Sequence, residues 1–186
     1  MRKVLRIFFL IISAVFILGI AYFFSKWNKI NVDDNIGKST GIKTLDKKVF
    51  DHTYLIFDST KVKTDFEIYK KLSDTVTFNF SANKNPNYSN LTLLTFNSGD
   101  GFAGVNINVV KYKSFFYASS ESYTDNKRTF DFLEPERYII KNQKLTLNKT
   151  QYKKGDSIYG KIELEIKFTP TNEIVNSEGY FRSIVD

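Results

Sequence analysis

The sequence predicts a mainly β chain: an antiparallel β-sandwich, immunoglobulin-like or similar, with one short helix, preceded by a single N-terminal transmembrane helix. Three observations predict it. The stretch from Ile7 to Phe24 runs for 18 residues without a charge. After about residue 49, apolar residues recur with period 2 in short runs parted by turn signals, which is the mark of half-buried strands. The aromatic complement is 18 Phe and 11 Tyr against a single Trp, and Phe and Tyr favour strands.

The apolar stretch, IFFLIISAVFILGIAYFF, spans ~27 Å as a helix, about the thickness of a hydrocarbon core. A lone segment in lipid satisfies its backbone hydrogen bonds only as a helix. Arg2, Lys3 and Arg6 precede it and Lys26 and Lys29 follow it. That modest bias predicts a cytoplasmic N-terminus, residues 1–6, a signal-anchor helix over 7–24, and a domain outside the cytoplasm. Tyr22 and Trp27 suit the outer interface, where amphipathic rings settle. The rival reading is a cleaved signal, with Gly19-Ile20-Ala21 as a small-x-small cleavage site and a secreted domain. The apolar run continues through Tyr22, Phe23 and Phe24, which argues for the anchor. A buried core helix is the third reading.

Charge points the same way. The formal charge is +7, yet residues 1–29 hold five bases and no acid, leaving 22 bases against 20 acids beyond them. The body is nearly balanced and lacks the basic stripe a nucleic-acid surface needs, so no nucleic-acid partner is expected. The absence of cysteine excludes disulfides, thiolate metal sites, a Cys nucleophile and a lipid-carrying N-terminal Cys.

Residues 25–48 are polar, with two glycines and scattered charge, and predict a linker. The β domain is expected over 49–186. Val49–Phe57 alternates with Phe50, His52, Tyr54 and Ile56 on one face. Val62, Phe66, Tyr69 and Leu72 recur at helical spacing, and Thr64-Asp65-Phe66-Glu67 fits a capping box, so one short helix is expected to start there. Strand patterns follow over Thr75–Phe80, Leu91–Phe96, Phe102–Tyr112, Phe115–Tyr123 and Thr129–Leu133, with turns at Asn97–Gly101 and Thr124–Lys127. Tyr138–Ile140 and Leu145–Leu147 read as short strands. In Ile158–Phe168 the residues Ile162, Leu164, Ile166 and Phe168 face one way and Lys161, Glu163, Glu165 and Lys167 the other, so the apolar set is expected in the core. A turn at Pro170-Thr171-Asn172 leads to a last strand, Gly179–Val185. Strands this short and this closely spaced argue for a sandwich or a barrel.

The tail, Leu145-Thr-Leu…Tyr152-Lys-Lys-Gly155-Asp156-Ser-Ile158-Tyr-Gly160-Lys-Ile162 and then Gly179-Tyr-Phe181-Arg182, resembles small exported β-sandwich proteins of Bacteroidota. It covers about residues 140–186 and rests on turn glycines and core hydrophobics. The resemblance implies an immunoglobulin-like or similar sandwich in the cell envelope. It carries over no functional residue, and the lipobox cysteine common in those proteins has no counterpart here.

Candidate chemistry is sparse. His52, the sole histidine, is the residue a Ser-His-Asp arrangement would need, but it sits mid-strand among aromatics. One His and no Cys argue against a transition-metal site. Glu163 and Glu165 share a strand face roughly 7 Å apart, and a glycosidase would want two carboxylates flanking a sugar bond, but Lys161 and Lys167 bracket them as in a solvated charge ladder. Asn97-Ser-Gly99-Asp100-Gly101-Phe-Ala-Gly104 offers oxygen ligands to calcium, although a hairpin turn or bulge explains it better. Sequons stand at Asn79, Asn87, Asn90 and Asn148. No catalytic, metal or cofactor residue is assigned, and no cofactor is expected. The expected function is a non-enzymatic, membrane-tethered envelope module that binds another macromolecule or the cell wall. The alternatives are a β-barrel carrier of an apolar ligand and, behind it, a hydrolase.

Overall fold

A computed structural model describes residues 2–47, 62–69, 75–99, 102–125 and 137–186. The elements are α1 (Arg2–Ser25), β1 (Asn28–Lys29), β2 (Asn31–Val32), a 3-10 turn (Ile36–Lys38), α2 (Thr40–Leu45), β3 (Glu67–Ile68), β4 (Val76–Thr77), β5 (Asn79–Lys84), β6 (Leu91–Gly99), β7 (Ala103–Tyr112), β8 (Phe115–Thr124), β9 (Tyr138–Leu147), β10 (Ser157–Phe168) and β11 (Glu173–Ile184). The chain is mainly β, as its alternation predicts.

Two sheets face each other. One has the order β1-β8-β7-β6-β5 and the other β11-β10-β9-β2. Their inner rows form one core, in which Leu94, Phe96, Ile107, Val109 and Phe116 of the first sheet share a cluster with Leu145, Ile158, Ile162, Ile166 and Phe181 of the second. Aromatic rings fill the middle. Phe80 lies 4.6 Å from Phe181 and 4.9 Å from Phe96, and Phe66 stands 5.1 Å from Phe78, as ring centroids. This is a sandwich rather than a ligand-holding barrel, because side chains occupy the space between the sheets.

Glycines make that packing fit. A Cβ at Gly160 would overlap the Phe181 ring, and one at Gly179 would overlap the Phe66 backbone. Both positions lie in strand interiors, so they are packing glycines and not the turn glycines that the tail pattern suggests. Gly155 is the turn glycine, with φ of 88°.

The segment expected to be a linker is part of the domain. Asn28 and Lys29 pair with Phe116 and Phe115, and two residues later Asn31 and Val32 pair in parallel with Thr146 and Leu147. Ile30 lies buried between the two pairings, so the chain crosses from one sheet to the other and closes their shared edge. Ile36, Ile42 and Leu45 are buried as well. Their spacing is too irregular to read as an amphipathic pattern, which is why the segment looks polar in sequence. The short helix is α2, capped by Ser39, whose Oγ accepts from Ile42 N at 3.3 Å. It covers Tyr159 and Tyr180 on the outer face of the second sheet, and Asp46 beyond it pairs with Arg182.

The helix expected from Thr64 does not form. Val62, Thr64, Phe66 and Ile68 are all buried while Lys63, Glu67 and Tyr69 are exposed, which is period 2. The Thr64 hydroxyl takes the Phe66 N–H at 3.0 Å in a local turn and donates to Tyr180 O at 2.9 Å, so the capping chemistry serves an extended edge instead. The segment runs beside β11, with Arg182 N donating to Lys63 O at 2.8 Å.

The two short strands at 138–140 and 145–147 are one strand, β9. Its register against β10 shifts between Glu165 and Ile166, where Asn142 and Ile140 are the partners, so a bulge interrupts the alternation without ending the strand. The last strand starts at Glu173, six residues before its apolar pattern becomes clear. Val49–Phe57 with His52, and Thr129–Leu133, lie outside the described residues.

Leu164 is 3% exposed and faces the core, whereas Glu165 lies on the opposite face. Leu164→Ala should cost about 2–5 kcal/mol and Glu165→Ala under ~1 kcal/mol in chemical denaturation, and similar losses at both would mean that both faces are buried. A chain starting at Trp27 should melt cooperatively. One starting at Val32 should be destabilised by about 2 kcal/mol or more, because it lacks β1 and the buried Ile30.

Candidate functional site

The outer face of β10 carries the glutamates singled out by sequence. Glu163 Oε2 lies 2.9 Å from Lys144 Nζ and Glu163 Oε1 lies 3.6 Å from Lys161 Nζ, while Lys161 Nζ also holds Glu178 at 2.7 Å. The four side chains come from three adjacent strands in register, which makes a cross-strand charge ladder. The Lys144 ammonium, bonded to it, and the nearby Lys161 hold the Glu163 carboxyl below the usual glutamate range. A carboxylate kept ionised in this way serves poorly as a general acid.

Gly99 and Gly104 face each other across the β6–β7 hairpin, and a Cβ on either would strike the Tyr123 hydroxyl. Gly99 also takes φ of 143°. The motif therefore lets a tyrosine lie across a tight hairpin. Asp100 and Gly101 lie outside the described residues, as does His52. Of the sequons, Asn79, Asn87 and Asn90 are exposed. The Asn148 side chain is used within the fold: its Oδ1 accepts from Tyr152 OH at 2.7 Å and from Tyr159 N at 3.1 Å.

The sequence reading passes over a second locus, at the end of the sandwich. The inner row of β7 runs Val105, Ile107, Val109 and then Lys111. Lys111 is in phase with the core and only 2% exposed. Its cross-strand neighbours are Thr92, also 2% exposed, and Phe116, and Thr92 in turn pairs with Lys84. Lys111 Nζ donates to Lys113 O at 3.0 Å and stands 5.7 Å from the centre of the Tyr152 ring. Burial lowers its pKa from 10.5 to about 8. The signal available in sequence is a lysine at the parity of a core row.

The loop between β9 and β10 closes over this end and is firmly built. Asn148 fixes the buried Tyr152, and Asp156 Oδ2 accepts from Lys149 Nζ at 2.7 Å and from Lys153 N at 2.9 Å. Gly155 N donates to Val185 O at 2.7 Å, tying the loop to the end of the last strand. Those two bonds, Lys149 first, hold the Asp156 carboxyl below its ordinary pKa. Between this loop, the β5–β6 turn and the end of β7 lies a cleft of ≈ 540 Å³.

A third surface is the outer face of the first sheet. Asn97 bonds Asn106, while Thr95, Asn108 and Glu121 form a chain of long contacts at 3.4 Å each. Leu93, Tyr112 and Phe115 are exposed at one end of it. Searches of family models, curated proteins and solved structures return no match to this chain.

The ladder predicts a pH dependence. A depressed carboxyl contributes stability that is full above the unfolded-state pKa, near 4.3, and is lost as pH falls through its folded value. Glu163→Gln should therefore lose less stability than the parent between about pH 5 and pH 3, by under ~1 kcal/mol given its exposure. Parallel acid-melting curves would remove Glu163 from the ladder.

Proposed function

We propose that this chain is a single-pass, membrane-tethered binding module of a cell envelope, non-enzymatic, with its sandwich outside the cytoplasm. The observation that carries the reading is α1. It has a charge-free apolar span, Phe8–Ser25, none of which is buried against the protein. Exposed to water, that surface would be strongly unfavourable, while a hydrocarbon core covers it. That exposure along the whole span supports an anchor or a signal sequence over a buried core helix.

The join to the domain supports a retained anchor. Gln143 Nε2 donates to Lys26 O at 2.7 Å, its carbonyl O accepts from Asn28 Nδ2 at 2.9 Å, and its Oε1 accepts from Ala118 N at 2.7 Å. Trp27 packs at a tilt between Phe23 of the helix and Tyr117 of β8, with ring centroids 6.1 and 6.3 Å away. Cleavage after Ala21 would leave Tyr22, Phe23 and Phe24, all exposed, as an aromatic tail on a secreted domain. The bases before the helix favour a cytoplasmic N-terminus. The resemblance of residues 140–186 to exported sandwich proteins supports an envelope location.

A binding role rests on chemistry and shape. The chain has one His and no Cys. Its sandwich interior is filled by rings, which disfavours a carrier of apolar ligands. Its outer faces and the lysine cleft are the surfaces through which such scaffolds engage partners.

A C-terminal alkaline phosphatase fusion should be active in a bacterial host, and the full chain should resist carbonate extraction with α1 present in its mass. Activity only from a cytoplasm-dependent reporter would reverse the orientation, and a mature mass beginning at Tyr22 would replace the anchor with a cleaved signal.

A further inference from the structure

We infer that the cleft at the Lys111 end of the sandwich is a binding site for a phosphate-class oxyanion, with Lys111 at its floor. The inference deepens the binding-module reading and rests on it, but it does not depend on the membrane tether.

The argument begins with an uncompensated cation. Lys111 is 2% exposed, and its described partners are a carbonyl and an aromatic face, not a carboxylate. A buried ammonium without a counter-charge is costly, and folded proteins avoid it unless something supplies the charge. The ammonium has three N–H donors, and Lys113 O takes one. Lys111 is among the residues that line the cleft, so an anion seated there would lie beside its ammonium.

The cleft wall sets the sign of the ligand. Lys84, Lys149 and Lys153 line it with Lys111, and among the described residues its single acid is Asp156. Asp156 is already held by Lys149 Nζ and Lys153 N. The net excess is therefore strongly positive in a recess walled partly by low-dielectric core, where an anion is held more tightly than at an open surface. Ser89, Thr92 and Thr150 add hydroxyls to the lining.

The donors also set the class. Among the described residues all the cations are lysines, which act as point charges, and no arginine fork lines the cleft to grip a planar carboxylate in two parallel bonds. Several point charges converging on one recess suit a compact, multiply charged tetrahedral group better than a single carboxylate. The rigidity of the 148–156 loop means that little ordering is needed on binding. Burial of the Lys111 amine gives the site a pH sense. Its charge is present below about pH 8 and is lost above it, so affinity should fall as pH rises through that value. Asp156 lies below its ordinary range and burial pushes the Tyr152 phenol upward, so neither facing group titrates there.

The test uses the full chain in maltoside micelles, which contain no phosphate. Inorganic phosphate, glycerol 3-phosphate and acetate are titrated at constant ionic strength, with binding read by calorimetry and by the shift in melting temperature. Saturable binding of inorganic phosphate is expected, and acetate should bind at least about tenfold more weakly, as expected for a singly charged group against several charge-assisted bonds. Lys111→Met should weaken phosphate binding about tenfold or more while raising the melting temperature of the unliganded protein, because an unpaired buried charge is gone. Lys84→Gln, at a half-buried rim position, should fold normally and weaken binding by about three- to tenfold. Glycerol 3-phosphate binding as tightly as inorganic phosphate would assign the group to a larger phosphorylated partner, and its exclusion would assign free phosphate. Both outcomes support the site. Unsaturable binding, equal binding of acetate, or unchanged affinity in both lysine variants would overturn it. Lys111-dependent release of phosphate from the ester would support the site while overturning the non-enzymatic reading.

Discussion

The fold depends on the contact of two inner faces through a cluster of phenylalanines. Phe80, Phe96 and Phe181 meet with centroids 4.6–5.4 Å apart, and Phe66 lies 5.2 Å from Phe96. Rings this large hold the sheets at a set distance and bury far more apolar area than branched aliphatics at the same positions. The arrangement requires that strands carry no side chain where a ring must cross, as at Gly160 and Gly179. Each strand owes its register to this interior, since a one-residue slip would turn its apolar row to solvent.

The second constraint is the absence of slack between helix and domain. The chain leaves α1 at Ser25 and pairs with β8 by Asn28. Within four more residues it has crossed to the opposite sheet and paired with β9. Gln143 of β9 binds Ala118 of β8, Asn28 of β1 and the backbone of Lys26 at once. A module held on so short a join moves with its helix, so its orientation is set by packing rather than by a tether's length.

The two ends of the core differ in chemistry, and the proposed anion site follows that difference. Along β7 the inner row stays apolar through Val109 and then turns cationic at Lys111, where the β9–β10 loop closes the sandwich. The outer face of β10 is also charged, but there Glu163 and Lys161 each have an opposite partner in a neighbouring strand. Paired charges on a wet face are a solubility feature of modest energetic weight. An unpaired charge at the edge of a core is an unmet electrostatic demand, which the proposed anion would meet.

Sequence by itself determined the elements whose signal is local. The anchor-length helix is legible because lipid demands one unbroken apolar span. β7, β8 and β10 are legible because alternation over ten residues or more has one simple meaning. The outward placement of Glu163 and Glu165 follows from the same parity. The tertiary structure decided whatever depends on distant neighbours. The segment 62–68 became extended because Tyr180 and Arg182 offered it backbone partners, which outweighed a locally plausible capping box. Residues 28–45 joined the domain because Ile30 entered the shared core and Ile42 and Leu45 packed against Tyr159 and Tyr180 of the second sheet, a burial without periodicity. The bulge at Glu165/Ile166 let β9 continue through four polar residues. Lys111 became a candidate site only when loop 148–156 closed over it, because nothing in a strand's alternation reveals what covers its end.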